Sequence, residues 1–89
     1  MAVASHVLSS AWTKVGNNVS AITVCNDSGG GVYLMATSAD AAPGATTVGI
    51  PLRPGQALAS DDLSEFRVAS AAYVWARAIG SRANVIVLA

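Results

Sequence analysis

The feature that most constrains the fold of this chain is a series of short runs of β-branched and aromatic residues, each bounded by Gly, Pro, Asn or Asp. Val, Ile, Thr, Tyr and Trp favour extended strands, whereas Gly and Asn accept the positive φ angles of tight turns. Strands at such close spacing are typical of a small sandwich or barrel. We therefore predict an all-β domain, an antiparallel sandwich or barrel of about six to eight short strands.

The candidate strands follow one another with little sequence between them. We assign them to residues 12–15, 19–25, 32–37, 48–52, 56–60, 66–69, 72–79 and 83–88. Pro51 cannot donate a ladder hydrogen bond, so its strand is expected at a sheet edge. The glycine-rich residues 26–31 predict a hairpin turn, and Arg53-Pro54-Gly55 predicts a β-turn. Residues 38–47 are expected to form a surface loop.

The last two runs flank Gly80-Ser81, a pair suited to a type II′ turn, and therefore predict a C-terminal hairpin. Counting outward from that turn separates its side chains into two faces. One face, expected to pack in the core, contains Val74, Ala76, Ala78, Ala83, Val85 and Val87. The other contains Tyr73, Trp75, Arg77, Asn84, Ile86 and Leu88.

Two large aromatic rings on that second face are more apolar surface than a solvated face normally exposes. We predict a subunit contact or binding surface at Tyr73, Trp75, Ile86 and Leu88. The alternative is that loops cover this face and that both faces of the hairpin belong to the core. The sequence leaves the two interpretations equally weighted.

Residues 1–10 are rich in Ser and Ala and lack a clear period, so we predict a flexible N-terminal arm ahead of a single domain at 11–89. The arm has neither a basic segment nor a long apolar segment, which is not the pattern of a signal peptide. No run approaches the roughly 18 apolar residues of a membrane span. We expect synthesis in a cytoplasm and no membrane partner.

The composition favours assembly over a nucleic-acid partner. Five basic and five acidic residues give zero net charge, and charged residues make up only 11% of a chain that is 53% hydrophobic. No basic stripe is present to neutralise phosphates. A chain of 89 residues buries a modest core, and its single cysteine excludes an intrachain disulfide. Oligomerisation is the remaining source of stability.

The sequence offers little for catalysis or for binding a metal or cofactor. Cys25 and His6 are the only cysteine and histidine, and they lie in an apolar run and in the predicted arm. Asp61, Asp62 and Glu65 form the one close group of carboxylates, but their spacing matches no EF-hand, and a capped turn is the favoured interpretation. We predict no catalytic residue, no metal site and no cofactor.

The aromatic residues provide a second binding hypothesis. Rings of Trp and Tyr can stack on sugars in all-β modules, and the chain contains four such rings, at Trp12, Tyr33, Tyr73 and Trp75. Core packing is the commoner role of these residues in a small domain, and we favour it here.

Three stretches taken together resemble a known group of proteins: ITVCNDSGGGVYLMAT (residues 22–37), GIPLRPGQAL (49–58) and AYVWARAIGSRANVIVLA (72–89). Their order resembles that of small virion proteins of tailed bacteriophages, of the kind that decorate heads or form the base of head fibres. The resemblance implies a β-fold, commonly trimeric, seated on the capsid. It also implies that the N-terminal arm, through Val3, His6, Val7 and Leu8, tethers the protein to the shell.

These observations lead to an expected function. We expect a non-enzymatic structural protein of the virion, assembled in the host cytoplasm, that binds the capsid surface as a homo-oligomer, with a trimer favoured. Its partners would be copies of itself and the major capsid protein or another virion protein. The alternative is a carbohydrate- or receptor-binding module of a phage fibre or tail.

Overall fold

The computed structural model describes residues 3–44, 49–60, 63–66 and 68–88. These residues form eight β-strands and one short 3₁₀ helix, which confirms the all-β prediction. The strands are β1 (Val3–Leu8), β2 (Thr13–Gly16), β3 (Ile22–Asn26), β4 (Val32–Thr37), β5 (Ile50–Leu52), β6 (Ala57–Ser60), β7 (Tyr73–Ala78) and β8 (Ala83–Leu88), and the helix is Leu63–Phe66. In this part of the chain, no helix has the length and hydropathy needed to cross a membrane.

The strands form two antiparallel sheets of four strands each. The first sheet has the order β1-β8-β3-β6, and the second has the order β2-β7-β4-β5. The Cα atoms extend over 31 × 29 × 17 Å, a flattened shape that suits two sheets stacked about 10 Å apart. The predicted sandwich is therefore the observed architecture.

The pairing of the strands is nested along the chain. β1 pairs with β8, β2 with β7, β3 with β6 and β4 with β5. Two further ladders, β3 with β8 and β4 with β7, join these pairs into sheets. A long nested hairpin rolled up in this way has the topology of a jelly roll, the double Greek-key sandwich.

The nested order shows that two of the predicted hairpins are wrong. Among the described strands, β4 and β5 alone are both consecutive in sequence and paired with each other. β7 and β8 lie in opposite sheets, so the C-terminal hairpin across Gly80-Ser81 is wrong. The glycine-rich residues 27–31 likewise carry the chain from the first sheet to the second. Turn chemistry marks where the chain reverses, but it does not show whether the two strands then pair.

The core lies between the sheets and consists of alternate residues from each strand. β4 shows the period most clearly, since Val32, Leu34 and Ala36 are at most 1% exposed and the residues between them are half-buried. The inward rows of the central strands β7 and β8 are those expected from the sequence, Val74, Ala76 and Ala78 in β7 and Ala83, Val85 and Val87 in β8. Alternation therefore predicted the faces correctly even where the pairing was wrong.

The N-terminal arm is a further correction, because residues 3–8 form an ordered edge strand. β1 pairs with β8 along its whole length, from Val3 opposite Leu88 to Leu8 opposite Ala83. Leu8 is only 1% exposed and belongs to the core. The alternation of this strand is weak because Ala4 and Ser5 carry little polarity contrast. Deleting residues 1–10 would therefore remove an edge strand and a core side chain.

Three smaller predictions have different outcomes. Pro51 does lie in an edge strand, and Gly55 occupies the expected turn with a φ of 77°. The strand predicted at residues 66–69 is wrong, since Phe66 ends the 3₁₀ helix with its ring 6% exposed. Val48, Asp61 and Asp62 lie outside the described residues.

The side chain of Asn26 ties the two sheets together at one end of the sandwich. It is 2% exposed and lies at the end of β3. Its Nδ2 donates to the carbonyl oxygens of Gly30, at 2.8 Å, and of Leu52, at 3.0 Å, the latter in the second sheet. Its Oδ1 accepts from the hydroxyl of Ser28 at 2.7 Å. Both groups of the buried amide are therefore hydrogen-bonded.

The backbone of Asn26 extends this connection to the turn between β5 and β6. Its N–H donates to the carbonyl of Gln56, and its carbonyl accepts from the N–H of Gly55, both at 2.9 Å. Two crossings between the sheets, at residues 27–31 and 53–56, are thus held by one residue.

We expect Asn26→Ala to lower the free energy of unfolding by about 3 kcal/mol, because it leaves buried carbonyl groups without their donor. Urea denaturation followed by tryptophan fluorescence measures the change. Asn84→Ala is the matched control: its side chain is exposed in β8, and its loss should cost less than about 0.5 kcal/mol. Equal effects of the two substitutions would contradict this role of the Asn26 amide.

Candidate functional site

The outer face of the second sheet gathers the tryptophan and tyrosine side chains of the protein. Cross-strand pairing places Tyr33 beside Arg77, Thr37 beside Tyr73, and Trp75 between Lys14 and Met35. Trp12, just before β2, contacts the same face through Arg77. Both tryptophans and both tyrosines of the chain therefore lie together. We call this surface the aromatic face: Trp12, Lys14, Tyr33, Met35, Thr37, Tyr73, Trp75 and Arg77.

Arg77 lies between two of the rings. Its guanidinium carbon is 5.1 Å from the centroid of the Trp12 ring and 4.9 Å from that of Tyr33. Guanidinium groups stack on aromatic faces at such distances, with a gain of about 0.5–2 kcal/mol per contact depending on solvation. The half-buried Arg77 side chain thus connects the two rings.

Trp75 is buried although it points away from the core between the sheets. It is 8% exposed, and its Nε1 donates to the hydroxyl of Thr37 at 2.9 Å. That hydroxyl donates in turn to the carbonyl of Ala39, at 2.7 Å. The segment that follows β4 is therefore linked to Trp75 through the Thr37 hydroxyl.

Two more contacts fix residues 38–44 to the aromatic face. Nζ of Lys14 lies 2.8 Å from a carboxylate oxygen of Asp40, and Nε1 of Trp12 donates to the carbonyl of Gly44 at 3.1 Å. Lys14 also lies over the ring of Tyr73, at 5.8 Å from the centroid. The ion pair is partly solvated and contributes at most about 1 kcal/mol. The half-buried rings of this face therefore have polar side-chain and backbone groups at their edges.

The interface predicted at Tyr73, Trp75, Ile86 and Leu88 is not one surface. The first two residues lie on the aromatic face, whereas Ile86 and Leu88 lie on the outer face of the first sheet. The two pairs therefore point in opposite directions across the sandwich. The predicted set assumed the hairpin that the nested topology replaces.

The outer face of the first sheet is apolar and lacks charge. No Asp, Glu, Lys or Arg occurs in β1, β8, β3 or β6. Ile86 and Leu88 are half-buried on this face, beside the exposed Val3 and Val7 of β1. We call this surface the uncharged face: Val3, Ser5, Val7, Thr23, Cys25, Ala57, Asn84, Ile86 and Leu88.

The residues predicted to tether the protein to a shell divide between two environments. Val3 and Val7 are 67% and 63% exposed on the uncharged face, whereas Leu8 is buried in the core. His6 is opposite Val85 in the ladder, so it points to the inner side of the sheet and is half-buried. The four residues thus do not act as one flexible segment.

The groups that could support nucleophilic chemistry are separated by the sheet. His6 shares the inner side with Val85, whereas Cys25 is opposite Ile86 on the uncharged face. A thiol and an imidazole on opposite sides of a sheet do not form a dyad. Within the described ranges, no three His, Cys, Asp or Glu side chains lie close enough to hold a metal ion.

Part of the aromatic face was missed from the sequence. Trp12, Tyr33, Tyr73 and Trp75 were recognised as candidate stacking residues, but their polar partners were not. Alternation along β7 did place Arg77 beside Trp75, and this was the available signal. The pairing of Lys14 with Asp40, 26 residues apart, leaves no local pattern in the sequence.

Comparisons of the chain with protein-family models, with curated protein sequences and with solved structures found no match. The two outer faces and their chemistry therefore carry the functional inference.

We expect Trp75→Ser to lower the free energy of unfolding by about 3–5 kcal/mol, because the ring is buried within the single chain. Thr37→Val, which removes only the hydroxyl between Trp75 and Ala39, should cost about 1 kcal/mol. Urea denaturation followed by circular dichroism compares them. A Trp75→Ser protein as stable as the parent would show that the ring packs only against another subunit.

Proposed function

We propose that the protein is a non-enzymatic structural subunit of a virion that binds the capsid surface as a homo-oligomer. The observation that carries this proposal is the uncharged face. Four strands present an outer surface without one Asp, Glu, Lys or Arg, in a chain that has ten such residues elsewhere. The outward side of these four strands has none of the charged groups that normally keep proteins apart in solution.

The apolar composition of this face supports a permanent partner. Val3 and Val7 expose about two thirds of their surface, and Ile86 and Leu88 lie beside them with part of theirs. Contiguous apolar patches rimmed by polar residues mark interaction sites on proteins. A capsid surface or a sister subunit would remove this area from water.

Fold and sequence resemblance support a virion as the setting. Jelly rolls recur in capsid and lectin domains, which is support by analogy only. The three stretches at residues 22–37, 49–58 and 72–89 resemble small virion proteins of tailed phages. His6 and Cys25 carry the one imidazole and the one thiol of the chain, and they lie on opposite sides of a sheet. This separation agrees with a structural role.

A carbohydrate-binding role on a fibre or tail is the second candidate, and the aromatic face favours it. Sugars present apolar faces that stack on aromatic rings, with hydroxyl groups at their rims. Here Tyr33 and Tyr73 are half-buried beside Arg77 and Lys14, which supply N–H donors. This arrangement combines ring surfaces with polar groups in the way that ligand sites require.

We expect the protein to co-sediment with phage capsids that lack it, and Ile86→Lys to weaken this binding at least tenfold. The substitution places a charge in the uncharged face at a half-buried position. Met35→Lys is the matched control, since it places the same charge at a half-buried position of the aromatic face. Circular dichroism verifies that both variants fold. Unchanged binding by Ile86→Lys would remove the uncharged face from the proposal.

For the second candidate, we expect a saturable change in tryptophan fluorescence on titration with host-surface oligosaccharides, because Trp12 lies on the aromatic face. Tyr33→Ala should abolish the response, and Ile86→Lys should retain it. A protein that binds capsids but gives no fluorescence response with any oligosaccharide would decide against carbohydrate binding.

A further inference from the structure

We propose that the outer edge of β1 pairs in antiparallel fashion with β1 of a second copy, so that two first sheets join into one continuous sheet. This inference specifies how the homo-oligomer of the proposed function is built, and it rests on that part of the proposal. It predicts a two-fold contact, in contrast to the trimer implied by the sequence resemblance.

The four sheet edges of the molecule differ in how they are protected. An exposed edge strand is a template for pairing with another chain, and proteins block it with Pro, Lys, bulges or short length. β5 is three residues long and contains Pro51, and β2 contains Lys14 and an irregular register between Lys14 and Gly16. β6 is four residues long.

The edge at β1 has none of these features. Its six residues, VASHVL, contain no Pro, Lys, Arg, Asp or Glu, and they follow β8 in an unbroken register. Among the described residues, no backbone hydrogen bond reaches β1 from outside its ladder with β8. β1 is thus the longest edge strand described and the one left open to pairing.

The exposed apolar side chains of the protein are concentrated on this strand. The described residues include three large hydrophobic side chains that are strongly exposed, Val3, Val7 and Ile79, and two of them lie on β1. Both valines point outward on the uncharged face, with Ser5 between them. Pairing at this edge would place new neighbours beside both.

The occupant that best fits is a second copy, because β1 is complementary to itself. Directly opposed residues in an antiparallel pair share a face, so the two-fold axis must pass midway between one residue and the same residue of the second copy. With the axis at Ser5, Val3 is opposite Val7 of the second copy, and Ala4 is opposite its His6. The valines then meet in two identical pairs, and no like charges oppose each other.

The contact is small, since it consists of two short strands and the side chains that flank them. Interfaces well below the standard size associate weakly, so the dimer should depend on protein concentration. Sedimentation equilibrium between micromolar and millimolar protein should detect a species of twice the 8.9 kDa chain mass.

The first test places a charge at the paired edge. Val7→Lys should weaken dimerisation at least tenfold while the fold persists by circular dichroism. Ile79→Lys, which makes the same change at the other strongly exposed residue, should dimerise as the parent does. A parent that is monomeric throughout, or an oligomer that Val7→Lys leaves unchanged, would overturn the inference. Capsid co-sedimentation is measured separately, so failure here leaves virion attachment standing.

The second test does not require a destabilising change at the edge. In a Cys25→Ser background, Ser5→Cys places thiols opposite each other across the axis, within the Cα separation that a disulfide allows. Mild oxidation should yield a covalent dimer. Ala57→Cys, an exposed position on the opposite edge strand β6, is the control. Equal cross-linking of the two variants would contradict pairing through β1.

Discussion

The fold depends on the buried amide of Asn26, which connects the two sheets at one end of the sandwich. The chain crosses between the two sheets after every strand except β4, and each crossing exposes backbone groups that no ladder satisfies. Nδ2 of Asn26 reaches one carbonyl in the crossing to the second sheet and another in β5, while its backbone holds the turn before β6. One side chain therefore fixes the relative position of the two layers at that end.

The inward rows of β4 and β7 include small side chains at the centre of the sandwich. Ala36, Ala76 and Ala78 face the other sheet from β4 and β7 and are at most 1% exposed. On the opposite side of β7, the large side chain of Trp75 lies on the outside of the second sheet. Trp75 is buried there outside the core, between its cross-strand neighbours Lys14 and Met35, and its ring is hydrogen-bonded to Thr37. The aromatic face is in this sense a second, smaller packed layer.

Periodicity was sufficient to predict which side chains point inward, and insufficient to predict which strands pair. Val74, Ala76 and Ala78 were assigned to the core correctly, because alternation is a property of each strand alone. The partner of β7 is set by the nesting of distant segments, and turn residues carry no information about it. β1 was missed for a related reason: Ala4 and Ser5 have low strand preference, and pairing with β8 makes the segment extended. The predicted interface is divided between two surfaces because the predicted pairing of β7 with β8 is wrong. Each of its residues nevertheless lies on an outward face.

The position of β8 also governs the order in which the domain can form. It follows the other seven strands in sequence, yet it lies inside the first sheet, between β1 and β3. While the chain emerges from the ribosome, β1 has no partner strand and β3 can pair only with β6 until β8 is synthesised. Contacts between distant segments form slowly, and unpaired apolar strands invite association with other chains meanwhile. The nascent protein is therefore most exposed to misassembly just before its eighth strand is made.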